Sequence, residues 1–238
     1  MNLLKFIKNN LFIQNFFSNL IAWYPEFLHF TINKYLAVKK AMYITAHDET
    51  LGSYIEFGIF TGSSFNFAMK VNKRIEKIFK NTNCDFIGFD SFKGFGSIKE
   101  IDRHPRFKDE TFSINLKKIL KNIKKCSAGQ NYQIIQGFFE ETLTKKKPKD
   151  YKITKARVVM IDCDMKQPTL LALNFIKDIL QVGTIILFDD FIFYNGSSKK
   201  GEFSAFQQFK EENSHIKFRE AFEYGYGSKA FIVSEIND

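Results

Sequence analysis

Residues 157–191 read RVVMIDCDMKQPTLLALNFIKDILQVGTIILFDDF, and the order of patterns in them decides the fold. Residues 157–161 are a short, almost continuous apolar run, and residues 184–188 are a second, the most apolar in the chain. Runs without polar alternation belong to strands covered on both faces, as in a parallel sheet. Between them Leu170, Leu173, Ile176 and Leu180 recur at helical spacing, which predicts a helix over 169–180 that Val182-Gly183 ends. Strand, helix, strand is the repeating unit of an α/β fold.

The alternation extends outward from this stretch. Upstream, residues 53–57 read as a strand, followed by a glycine-containing turn and a helix over 63–79. A second strand follows at 85–89, then a long polar loop carrying Gly94, Gly96 and Pro105, a lysine-rich helix over 114–123 and a third strand at 132–135. Downstream, a helix over 202–211 and strands near 217–222 and 229–233 close the chain. The pattern predicts one α/β domain over 51–238, a doubly wound, Rossmann-like sheet of about seven largely parallel strands. Residues 1–50 are expected to form an N-terminal helical cap, with helices over 3–21 and 33–45.

Composition bounds what such a domain can be. The 238 residues are 45% hydrophobic and 26% charged, enough to bury a core without staples. The 29 Phe residues read as compositional bias rather than an aromatic device. A formal charge of +9 invites a nucleic-acid partner, but the lysines are dispersed apart from Lys145, Lys146, Lys147 and Lys149. That run reads as a solvated loop, so no nucleic acid is expected; an anionic substrate or a membrane surface suits the charge equally. Three cysteines without metal spacing fit a reduced, cytoplasmic protein. The apolar opening stretch is broken by Lys5, Lys8, Asn9, Asn10, Gln14, Asn15 and Asn19, too often for a membrane span. It is expected to pack over the active-site mouth or a subunit interface of a homo-oligomer, with contact to a membrane surface the less favoured use.

In sheets of this kind ligands bind beyond the carboxyl ends of the strands. Four of the five leading strands end on acids: Glu56 in EFGIFTG, Asp90, the pair Asp162 and Asp164, and Asp189-Asp190; the third ends in Gln136-Gly137-Phe138. The first turn is not Gly-x-Gly-x-x-Gly, so no phosphate cradle is prepared, and an acid there suits a cationic or amino-bearing ligand. Asp90 stands where a carboxylate can accept both hydroxyls of a ribose. Gly58, Gly62 and Ser63 of the first turn, Ser91, Gly137, Phe138 and Asp162 are the further cofactor-contact candidates. Asp162, Asp189 and Asp190 end adjacent strands and carry no His or Cys, a set suited to a hard cation, Mg²⁺ ahead of Ca²⁺ or Mn²⁺.

The segments IEFGIFTGSS, GFDSFKGF, IIQGFFEETL, VVMIDCDMKQPT and TIILFDDF, in this order, resemble the macrocin O-methyltransferase family over about residues 53–209. The resemblance implies a class I methyltransferase using S-adenosylmethionine, with Glu56 and Asp90 on the cofactor and Asp162, Asp189 and Asp190 on Mg²⁺. The chain departs from the family pattern at Met165-Lys166, and at Phe191 where the family carries Tyr; residues 96–112 show nothing recognisable. The acceptor is therefore left as a hydroxyl of a sugar, glycan, glycosylated metabolite or small polyol. Asp164 is the first candidate for the base and His104 the second, whereas His29, His47 and His215 read as packing residues. The rival readings are a nicotinamide-dependent oxidoreductase on a similar sheet and a non-catalytic binding protein of this fold.

Overall fold

The computed structural model describes residues 10–80, 82–127 and 129–237. Two helices open it, α1 (Leu11–Trp23) and α2 (Glu26–His47). The alternating part follows as β1 (Ser53–Phe57), α3 (Ser63–Ile75), β2 (Phe86–Asp90), α4 (Leu116–Cys126), β3 (Tyr132–Gln136), α5 (Phe139–Thr142), β4 (Ala156–Ile161), α6 (Lys166–Ile176), β5 (Ile185–Phe188), α7 (Gly201–Glu212), β6 (Ile216–Tyr224) and β7 (Ser228–Ile236). The seven strands form one sheet in the order β3-β2-β1-β4-β5-β7-β6. The first five run parallel, and β7 pairs antiparallel with both β5 and β6.

Alternate residues of each strand serve opposite faces of the sheet, and both faces are covered. Ile55 and Phe57 of β1 enter a core completed by Phe175 of α6 and Phe206 of α7. Tyr54, one residue over, enters a second core with Val38 and Met42 of α2, Phe65 and Met69 of α3 and Ile123 of α4. Strands covered on both sides explain why β4 and β5 read as nearly continuous apolar runs.

The cap departs from expectation in its boundaries. Residues 3–9 of the first expected helix lie outside the described residues, and the second begins at Glu26 rather than 33 because Pro25 sets its start. None of the described residues of α1 is buried. The covering element is α2. Its last turns are held to β4 by the buried Arg157, whose Nε donates to Thr45 Oγ1 and Nη2 to the Met42 carbonyl, both at 2.8 Å. A cation suits the carbonyl-rich end of a helix. Among the described residues no helix is long and apolar enough to cross a membrane.

Candidate active site

A cavity of about 490 Å³ opens at the carboxyl ends of the parallel strands, within the range of small-molecule sites. One wall comes from β1, β2 and β3: Gly58, Phe60, Asp90, Ser91, Gly94, Gly137 and Phe138. Gly58 sits at φ +88°, and a Cβ there would lie 1.9 Å from the Asp162 carbonyl oxygen. Only glycine lets the end of β1 run so close to the end of β4. Asp90 fixes the turn after β1: its Oδ2 accepts the N–H groups of Ile59 and Phe60 at 2.8 Å and its Oδ1 that of Phe92 at 2.6 Å. Burial raises the Asp90 pKa above the ordinary carboxylate value, against the pull of these three donors.

The opposite wall comes from β4, β5 and α2. Asp162, Asp164 and Asp190 each present a carboxylate oxygen, all within 4.8 Å of one another. Asp164 holds its place at φ +58°, a left-handed conformation that Asp tolerates better than most residues. Asp189 faces a different partner. The Lys34 ammonium lies 2.6 Å from Asp189 Oδ2 and 2.7 Å from Asp162 Oδ2. Burial acts to lower the Lys34 pKa, but the two carboxylates outweigh it and hold it well above the ordinary lysine value. Burial first, then the charges of Asp162 and Asp189, push Asp164 up to about 7; burial opposed by Lys34 leaves Asp189 at about 6. Below this wall the buried Glu202 of α7 accepts the N–H of Cys163 with Oε1 at 3.2 Å and that of Asp190 with Oε2 at 3.0 Å. One carboxylate thus staples the two loops that carry the acids.

Residues 31–221 match the macrocin-O-methyltransferase (TylF) family. The chain belongs to this family. It is an S-adenosylmethionine-dependent O-methyltransferase, which sets aside the oxidoreductase and non-catalytic readings. No curated protein sequence matches the chain. Among solved structures, the O-methyltransferase NovP superposes with a TM-score of 0.69 at 14% identity, covering 86% of this chain and 81% of NovP. The calicheamicin methyltransferase CalS11 gives 0.69 at 18%, covering 96% and 88%. A Bacillus cereus O-methyltransferase in complex with SAH gives 0.51 at 12%, covering 83% and 80%. At such identities the likeness is one of fold, and all three are methyltransferases.

In this methyltransferase the cavity collects Gly58, Asp90, Ser91, Gly137, Phe138, Asp162, Asp164, Asp189 and Asp190. Four expected residues are not in its wall. Glu56 has the strand parity of Tyr54 and points into the α2–α3 side, where it accepts the Tyr54 hydroxyl at 2.6 Å and the Ser64 hydroxyl at 2.7 Å. Burial raises its pKa to about 7. Gly62 caps α3 and Ser63 begins it, both behind the turn. His104 packs against the rings of Phe107 and Tyr194 on a neighbouring surface depression, and its Nδ1 accepts the Arg106 N–H. Asp90 does line the cavity, and its two oxygens also accept the three backbone donors of the turn.

The sequence reading missed Lys34 and its neighbours on α2, and Glu202, as residues of the site. Phe27, Phe30, Thr31 and Lys34 line the cavity at i, i+3, i+4 and i+7, one face of α2, and the same face continues into the core through Val38, Ala41 and Met42. The legible signal was a lysine interrupting an apolar stripe.

Proposed function

We propose that the enzyme methylates a hydroxyl of a sugar or glycosylated metabolite, assisted by Mg²⁺ and working in the cytoplasm. The observation that carries this reading is the ring of oxygens of Asp162, Asp164 and Asp190 facing the glycine-lined wall across one cavity. Three carboxylates without nitrogen or sulfur ligands fit a hard cation, so these residues would hold Mg²⁺. This trio has Asp164 where the expected one had Asp189, because the oxygens that lie within 4.8 Å of one another are those of Asp162, Asp164 and Asp190, while Asp189 pairs with Lys34. The ion, when bound, would polarise the acceptor hydroxyl and lower its pKa.

The chain's own residues do the rest. Gly58, Phe60, Ser91, Gly137 and Phe138 would hold the donor, with Asp90 keeping the turn in shape. Phe27, Phe30 and Phe193 would exclude water from the reacting centre. S-adenosylmethionine, when bound, would supply the methyl group, its sulfonium carbon–sulfur bond giving way to the new bond to the acceptor oxygen. The hydroxyl proton would pass to Asp164, whose carboxylate lines the same cavity. A sugar acceptor is supported by CalS11, described as a TDP-rhamnose 3′-O-methyltransferase. The free thiols of Cys84, Cys126 and Cys163 support a reducing compartment.

The test is transfer of labelled methyl from S-adenosylmethionine into a panel of nucleotide sugars, glycosides and polyols, with chelator and with Mg²⁺ restored. Product on a sugar hydroxyl that disappears in chelator is expected. Undiminished transfer in chelator would remove the ion, and transfer confined to non-sugar acceptors would remove the substrate class.

A further inference from the structure

Lys34 belongs to the cap, yet its ammonium lies among the acids at the strand ends. Nζ contacts Asp162 and Asp189 within 2.7 Å, and Asp162 is also one of the three carboxylates that ring the proposed ion. A divalent ion sharing Asp162 would sit next to a fixed positive charge, in a half-buried setting where screening is weak. Lys34 forms its ion pairs with Asp162 and Asp189, whereas Asp164 and Asp190 hydrogen-bond to each other, so an ion sharing the trio's oxygens meets the ammonium directly at Asp162. The Lys34 side chain keeps 18% of its surface exposed, which leaves it a way out toward solvent. Its backbone is carried by the face of α2 that also presents Phe27, Phe30 and Thr31 to the cavity, so the lysine is in place when that helix is seated.

We propose that Lys34 is a tethered competitor for the divalent cation: its ammonium occupies the Asp162–Asp189 edge, and the ion binds at full strength only when Lys34 withdraws. The proposal rests on the reading of Asp162, Asp164 and Asp190 as an ion site.

The test is titration of Mn²⁺ into ion-stripped full-length protein, read by the loss of the free-Mn²⁺ electron paramagnetic resonance signal, for wild type, Lys34→Met and Lys34→Gln. Both variants are expected to bind one Mn²⁺ at least about tenfold more tightly than wild type. Adding Asp190→Asn to either is expected to abolish the gain. Lys34→Gln keeps a polar group at the acids should Lys34→Met fold poorly, and circular dichroism checks the fold of each. Equal or tighter binding by wild type would overturn the competition and leave the ion site standing. No binding by any of the three would overturn the ion site and the competition together. A gain that survives Asp190→Asn would place the ion elsewhere and overturn the proposal.

Discussion

The two walls of the cavity use carboxylates in opposite ways. On the β1–β2 side, Asp90 is surrounded by donors that the backbone supplies, three N–H groups within 2.8 Å. Its charge is compensated by the fold itself. On the β4–β5 side, Asp162, Asp164, Asp189 and Asp190 crowd together, and the cation among them, Lys34, comes from another part of the chain. That charge is compensated by a side chain from the cap. The first wall is a rigid shelf; the second is a site whose electrostatics depend on which cation is present.

The largest expected effect lies on the second wall. Asp162→Asn or Asp190→Asn should lower turnover by about a hundredfold or more while donor affinity, measured by calorimetry, moves far less. A parallel loss of donor binding would erase the division of labour between the walls. On the first wall the order reverses: Asp90→Ala orphans three backbone donors and should cost about 1–3 kcal/mol of stability in urea unfolding, with weaker donor binding. Glu56→Ala should likewise lower stability more than donor affinity, since its two hydroxyl partners are buried in the core.

A pH series sharpens the contrast. Asp164 at about 7 and Asp189 at about 6 both lie above their ordinary value of 3.8. The folded state then holds protons that the unfolded state has released. Stability from these groups is complete below about pH 4 and is lost as pH rises toward 7. Ion-free protein should therefore melt at a lower temperature at pH 7.5 than at pH 5, and Asp164→Asn should flatten that slope. Saturating Mg²⁺ should flatten it too, because the ion favours the ionised acids. The smallest effects belong outside both walls. His104→Ala should change turnover by no more than about twofold, and Phe12→Ser on exposed α1 should shift stability by no more than about 0.5 kcal/mol.

Much of the fold was legible because its signals are local. The apolar runs of β4 and β5 and the helical period of Leu170, Leu173 and Ile176 depend only on neighbours in the chain. Strand ends are equally local, so Asp90, Asp162, Asp164, Asp189 and Asp190 could be placed at one mouth before any packing was known. Boundaries slipped where a turn residue outweighed the periodicity. Pro168 is tolerated in the first turn of α6, so that helix starts at Lys166 rather than 169.

The sequence by itself thus determined the order of strands and helices, the carboxyl-end location of the acids and, through its motifs, the methyltransferase family. Tertiary structure decided which of those acids meet. Strand parity turned Glu56, one residue before the end of β1, away from the cavity. Residues far apart in sequence settled the rest: Lys34, from the helix before the sheet begins, pairs with Asp162 and Asp189 while the oxygens of Asp162, Asp164 and Asp190 cluster, and Glu202, from the helix after β5, holds their loops in register. Neither could be read locally, because a charge on a helix reveals its partner only once the helix is docked.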